Sequence, residues 1–576
     1  MGIRALLVYP EMPPTYWSMR YALPFLGRRA VFPPLGLLTV AAMLPPSWEL
    51  RLLDLNVEPL RREDVDAADL VLISAMLVQR DSFEKVVALC REAGKPIVAG
   101  GPYPTSSHAS IQGVDHFVLG EAEASLPQFL EDFERGCPKA CYSDRSHPPL
   151  QGTPAPRYEL VKAGHYAGAA LQFSRGCPHH CDFCDIVELF GHQPRTKSAE
   201  QFLAELDLLY EGGWRGSLFV VDDNFIGNRI QVRPLLARLG AWQAEHGFPF
   251  SLYTETTLDL GADEALMDDM VSAGFNMVFV GIETPDTATL ASIDKKQNLR
   301  TDLLASVKAI QAHGLEVSAG FILGFDRDGP DIFERQRRFI AEAAIPVAMV
   351  GLLMALPGTR LHARLAAEGR LLASSTLGNN THDLQLNFLP RMDPGQLLHG
   401  YTSVLKAVYA PREYFARCLE LLHRLKRSRA APRRIRFMEV RAFVWSLVRQ
   451  TFTRYAVAYW AFLARAVARR PRMAAEIVAM AVKGHHFFTI TQDLLSLERF
   501  RARLQHYLHL LEARPGGPAP VSASAQEYRI HRDWLLSQSR RQLLRVNARV
   551  RSRALALLEE FQVLTDGMMA GTRQTP

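Results

Sequence analysis

The chain has 576 residues, 48% of them apolar and 22% charged, with a formal charge of +6. That length exceeds what one hydrophobic core usually serves, and the balance excludes a disordered or fibrous protein. The small net charge makes no case for nucleic acid. Seven cysteines are too few and too unevenly spaced for a disulfide scaffold.

The first residues, MGIRALLVYP, pass directly into a strand and lack the successive regions of a signal peptide. No stretch approaches the roughly 18 uninterrupted apolar residues of a spanning helix. A cytoplasmic, reducing location is expected, where thiolates stay available for metal.

Residues 1–135 alternate short apolar runs with helical stretches. Strands are predicted at 6–9, 49–53, 70–74, 96–99 and 116–119, and a helix at 35–44. Turn chemistry follows several of them, as in Tyr9-Pro10, Gly100-Gly101-Pro102 and Gly120-Glu121. This pattern predicts a doubly wound parallel sheet with its ligand site beyond the carboxyl ends of the strands. Residues 136–166, rich in Pro, Gly, Ser and His, read as a linker, and Cys137 and Cys141 within it as structural.

A second α/β run occupies 167–390, with strands predicted at 171–173, 217–221, 251–254, 277–280, 317–323 and 347–354. It predicts a partial or full barrel of (β/α)6 type, with function on the C-terminal face. Residues 391–576 turn helical, with a flexible interruption at 513–526 and a last amphipathic helix at 528–561.

Cys177, Cys181 and Cys184 form C-x3-C-x2-C on a loop that follows a strand. Soft thiolates on a short loop suit iron–sulfur ligation, and three ligands on a four-iron cube leave one iron open. A zinc site would recruit His179 or His180 as a fourth ligand, and this reading stays open.

With this motif the chain resembles the radical S-adenosylmethionine superfamily. The resemblance implies a [4Fe–4S] cluster on the three cysteines and S-adenosylmethionine at the open iron. It places Asp222, Asp223 and Asn224 near the methionyl amine, Glu283 at the ribose, and Gly324, within 320–326, near the adenine. Such a ligand needs one carboxylate against its ammonium and another for its ribose hydroxyls.

The N-terminal domain resembles the cobalamin-binding domain of cobalamin-dependent (class B) radical enzymes, through residues 32–37, 54–56, 74–79, 100–102 and 120–123. The implied cobalamin contacts are Ser74, Gln79, Gly100, Gly101, Gly120 and Glu121. No D-x-H-x-x-G occurs, so the resemblance implies binding without a histidine on the metal. No G-x-G-x-x-G follows the first strand, which argues against a dinucleotide. Residues 191–197, 221–228 and 483–487 are similar to the hopanoid C-2 methylases, a branch of the same family, whereas 12–18 looks like a sister subgroup.

The implied activity is methylation of an unactivated carbon of a hydrophobic, lipid-like or polyketide-like substrate, with a reductant such as flavodoxin or ferredoxin. Oxidation, cyclisation or rearrangement with the same cofactors stands as the alternative enzyme reading. A cluster-bearing sensor without turnover is the alternative of another class.

Residues 424–436 carry seven basic side chains and no acid. Phe443, Trp445, Phe452, Tyr455, Tyr459, Trp460 and Phe462 follow, with Arg441, Arg449, Arg454 and Arg465 among them. Two readings compete, a helical cap with a solvated basic face and an interfacial helix in peripheral contact with a membrane. Nucleic acid is not expected, because no reader motif accompanies the charge.

Overall fold

The structure is a computed structural model that describes residues 2–372, 384–425, 436–512 and 523–571. Most of the basic run (426–435) and most of the predicted interruption (513–522) lie outside the described residues. The chain divides into two compact units, Met1–His486 and Phe487–Pro576.

The first sheet contains β1 (Arg4–Tyr9), β2 (Glu49–Asp54), β3 (Leu70–Ser74), β4 (Ile97–Gly100), β5 (His116–Gly120) and β6 (Cys141–Asp144). Their order is β2-β1-β3-β4-β5-β6 and every pairing is parallel. Parallel strands covered by helices on both faces read as unbroken apolar runs. Ala5 through Val8 and Leu70 through Ile73 are such runs, and all eight side chains are buried. Phe83, Val86, Val87 and Cys90, at helical spacing on Arg80–Glu92, complete this core.

β6 falls within the segment read as a linker. Only Tyr142 of its four residues is buried, so there is no alternation to read. Tyr142 packs edge-on against Phe129 at 5.6 Å, and its hydroxyl donates to Asp132 at 3.0 Å. Cys137 and Cys141 are exposed, whereas Cys90 and Cys418 lie in cores.

The second sheet contains β7 (Gly168–Leu171), β10 (Gly216–Val220), β11 (Phe250–Thr256), β12 (Phe275–Glu283), β13 (Glu316–Leu323) and β14 (Ala348–Leu352). They run parallel in the order β14-β13-β12-β11-β10-β7. β7 and β14 are the two ends of this order and do not pair, so the barrel is partial. A separate two-stranded hairpin, β8 (Ser174–Arg175) with β9 (Arg195–Thr196), brackets the cysteine loop.

The predicted last helix is two helices, Ala523–Leu543 and Arg551–Gly571. Asp493 of the long helix Ala474–Glu512 accepts from Asn547 at 2.9 Å and from Arg549 at 2.8 Å. These tertiary bonds fix the break, and nothing in the local periodicity announces it.

Lys197, just after β9, forms an ion pair with Glu205 of helix Ala199–Glu211, and both side chains are almost fully buried. Removing one partner of such a pair leaves an uncompensated charge. The Glu205→Ala variant is expected to lose about 3–5 kcal/mol of stability. Urea unfolding followed by tryptophan fluorescence measures this, and a loss below about 1 kcal/mol would show the ammonium reaching water.

Candidate active site

The cysteine loop is held from three sides. Gly176 has φ 95°, and a Cβ there would lie 2.8–3.1 Å from the carbonyl oxygens of Gln193, Gly191 and Phe190. Only glycine lets the loop pass this close. Cys177 N–H donates to the Gly191 carbonyl at 3.2 Å, and Asp182 N–H to that of Ile293 at 3.2 Å. The Asp182 carbonyl accepts from Leu361 N–H at 2.8 Å.

The three thiols lie near enough to influence one another electrostatically, and burial pushes all three above the ordinary thiol value. The Gln297 side-chain amide points at the Cys181 sulfur from 3.6 Å, and backbone N–H groups of His179 and Ile186 face the sulfurs of Cys177 and Cys184. Donors aimed at sulfur are what a cluster thiolate requires. Each of the three sulfurs has such a donor, so the cysteines fit a cube that takes one thiolate on each of three irons.

The neighbouring acids divide the work. Asp222 accepts from Phe173 N and Ser174 N at 2.8 Å each and from Ser174 Oγ at 2.6 Å. Its carboxylate is wholly engaged in fixing the base of the loop. Asp223 instead lies among acids: burial, then Asp222 and Asp185, push it up to about 7. Glu255 of β11 is pushed up to about 8 by burial and then by Asp223 and Glu283. Asn224 Oδ1, Thr256 Oγ1 and Gln297 Oε1 are buried without a partner. A pocket with excess carboxylate and unfilled polar atoms suits a cationic, hydroxyl-rich ligand such as S-adenosylmethionine.

Glu283 ends β12 at a bulge opposite β13, in the left-handed region with φ 63°. Its carboxylate pairs with the buried Lys295 ammonium. A Cβ on Gly281 would come within 2.4 Å of that carboxylate and 2.7 Å of that ammonium. Burial opposes the charge on Lys295, but Glu283 and Cys181 outweigh it and hold the pKa above its usual value. The nitrogen also lies 5.9 Å over the Phe183 ring. Phe183 meets Phe325, which follows Gly324, at 6.0 Å.

In the first sheet, Ser74, Gly100 and Gly120 end three adjacent strands, and Gly101 follows Gly100. They share the carboxyl edge with the half-exposed Met76, an open ledge suited to a flat macrocycle. Gln79 and Glu121 do not face it. Gln79 donates to the Pro10 carbonyl at 2.5 Å and accepts from Met76 N at 2.8 Å. The buried Glu121 carboxylate bonds Arg175 at 2.8 Å, Arg195 at 2.6 Å and His147 at 3.1 Å. Both arginines belong to the hairpin that carries the cysteine loop, so Glu121 ties the first sheet to that hairpin.

Lys295, Glu255, Arg175 and Arg195 were not singled out from the sequence. For Glu255, the strict burial alternation of β11 places its side chain on the same face as Tyr253, a signal available in the sequence.

The radical SAM superfamily matches residues 171–340, a B12 binding domain 27–130, and a domain of unknown function, DUF4070, 359–499. An uncharacterized methyltransferase of Synechocystis sp. is 44% identical, covering 72% of this chain and 78% of its own. The hopanoid C-2 methylase of Rhodopseudomonas palustris is 32% identical over 85% of this chain and 94% of its own. The chain belongs to the cobalamin-dependent radical S-adenosylmethionine methyltransferases. Its cofactors are those of the family: a [4Fe–4S] cluster, S-adenosylmethionine and cobalamin.

Two solved structures share the fold of this radical methyltransferase. One is the radical S-adenosylmethionine methyltransferase TsrM from Kitasatospora setae, with cobalamin and a [4Fe–4S] cluster bound (TM-score 0.55, 16% identity, 84% of this chain and 99% of that one). The other is the cobalamin-dependent S-adenosylmethionine radical enzyme OxsB with aqua-cobalamin (TM-score 0.56, 13% identity, 86% and 84%).

A bound cation favours ionised carboxylates, so S-adenosylmethionine is expected to displace the proton from Asp223. With that group near 7, affinity should rise roughly tenfold from pH 6 to pH 8. The Asp223→Asn variant should flatten this slope, leaving only the part that Glu255, pushed up to about 8, contributes. Titration calorimetry of the cluster-loaded enzyme tests it, and equal affinity at both pH values would remove Asp223 from the ligand's surroundings.

Proposed function

We propose that this enzyme methylates an unactivated carbon of a hydrophobic substrate, a lipid being the favoured class. Cys177, Cys181 and Cys184 hold the cluster. Asp223 meets the methionyl ammonium, and Glu283, fixed by Lys295, accepts the ribose hydroxyls. Ser74, Met76, Gly100, Gly101 and Gly120 form the ledge for the corrin. When bound, these cofactors supply one-electron cleavage, hydrogen abstraction and methyl delivery. The protein orients them and excludes water and oxygen.

The observation that carries the substrate class is the aromatic lining of the open barrel. Phe219, Tyr253 and Phe279 lie on β10, β11 and β12, and all three are partly exposed. Phe219 and Tyr253 stack at 4.8 Å with an interplanar angle of 7°. Two rings from the N-terminal segment meet them: Phe32 lies 5.5 Å from Phe219, and Trp17 lies 4.9 Å from Phe279. A concave wall of rings beneath a rim of carboxylates binds an apolar body and leaves polar atoms at the reacting end. Similarity to the hopanoid C-2 methylase supports the same class.

The electron donor fits the flavodoxin or ferredoxin type, small acidic carriers. Exposed Lys296 and Arg360 lie beside the cysteine loop, where both pair with Asp294 and Arg360 also bonds the His180 carbonyl.

The test is anaerobic incubation with S-adenosylmethionine labelled in its methyl group, cobalamin, a strong reductant and a lipid extract of the producing cells. Label in an organic-soluble product is expected. The Phe279→Asp variant, with unchanged cluster and cobalamin absorbance, should lower kcat/KM at least tenfold. 5′-Deoxyadenosine without labelled product would instead support a non-methylating reaction.

A further inference from the structure

Helix Phe437–Thr451 is inverted. Its side chains packed inward are Ala442, Ser446 and Gln450, all buried. The Gln450 amide donates to Ser446 Oγ at 2.8 Å, and Ser446 shares a hydrogen bond with the Tyr459 hydroxyl at 3.0 Å. Outward, at spacings of three and four residues, lie Phe437 (82% exposed), Val440, Val444, Val448 and, just past the helix, Phe452 (87%). A helix packed on a core normally turns its apolar stripe inward and its polar residues to water. The next helix, Ala456–Arg469, extends the surface with exposed Val457 and Trp460. Apolar surface this continuous marks an interaction site.

The charge along these two helices is almost wholly positive. Between residues 437 and 475 the only acid is Glu439, and it bonds the Arg436 backbone N–H at 2.9 Å. Arg449, Arg454, Arg465, Arg469 and Arg472 are exposed. Arg449 lies 5.5 Å over the Trp445 ring, an aromatic–cation pairing suited to the level of lipid head groups. Among the described residues no helix is long and apolar enough to cross a membrane.

We infer that helices Phe437–Thr451 and Ala456–Arg469 form a docking face for anionic lipid bilayers. The stripe enters the boundary between head groups and acyl chains while the arginines meet lipid phosphates. The enzyme so held takes an apolar substrate from the bilayer without its crossing water. The docking rests on this surface alone and stands whatever the substrate proves to be, because the test uses vesicles that contain none.

Full-length protein is floated with vesicles of equimolar phosphatidylcholine and phosphatidylglycerol, and with phosphatidylcholine alone. Binding is expected on the anionic vesicles at low salt, at least tenfold weaker on the neutral ones and at least tenfold weaker in high salt. The double variant Val448→Asp/Phe452→Asp should lose at least tenfold in binding while keeping its melting temperature and its 5′-deoxyadenosine formation. No flotation, or flotation indifferent to the substitutions, would overturn the inference. So would self-association, seen by sedimentation and lost in the variant without any vesicle binding, because a second copy would then cover the face.

Discussion

The buried carboxylate of Glu121 is the joint on which the rest depends. It leaves the cobalamin domain at the end of β5 and meets Arg175 and Arg195, which pair across the β8–β9 hairpin. Arg175 also bonds Glu123, whose pKa burial alone would raise; the arginine more than offsets this and holds it below the usual carboxylate range. Buried charges are costly unless paired and hydrogen-bonded, so such a cluster contributes register more than stability. Gly176 follows Arg175 directly, and the cysteine loop begins there. A shift of the hairpin would therefore move the three cysteines relative to the strand ends of the first sheet.

From that joint the site grades from polar to apolar along the barrel wall. Asp223, Glu255 and Glu283 line the strand ends near the cysteines, and Phe219, Tyr253 and Phe279 lie further back on the same strands. Period-two alternation makes this possible, since it sends every second side chain to the inner face. Asp223 raises the proton affinity of Glu255, and the rings line the wall behind them. Radical chemistry needs such a lining, because a reactive carbon survives only where solvent and oxygen are excluded.

Much of this was legible in the sequence. The cysteine spacing is short-range and specific, and the core strands are continuous apolar runs, so the motif, five strands of the first sheet and five of the second could be read. The strand expected at 171–173 instead runs over Gly168–Leu171 and shares only Leu171 with that expectation. β6 escaped because one buried tyrosine in four residues carries no pattern. Asp222 and Asp223 are adjacent and alike as letters. Only the fold shows that one anchors Phe173 and Ser174 while the other stays in the pocket. Glu121, just past β5, and Gln79, in the short turn after β3, bond to other partners, for which local sequence has no signal. Lys295 pairs with a residue 12 positions away across a bulge, beyond any periodicity. The aromatic helix at 437–451 was visible as a pattern, while the face it exposes depends on what it packs against.

The central claim is that one buried charge cluster fixes the two cofactors relative to each other. Pulsed electron paramagnetic resonance on protein loaded with cobalt(II) cobalamin and reduced cluster measures their separation directly. A single narrow distance is predicted for the native chain, and a broadened distribution for Glu121→Gln with both cofactors still bound in full. An unchanged narrow distance in that variant would contradict the account.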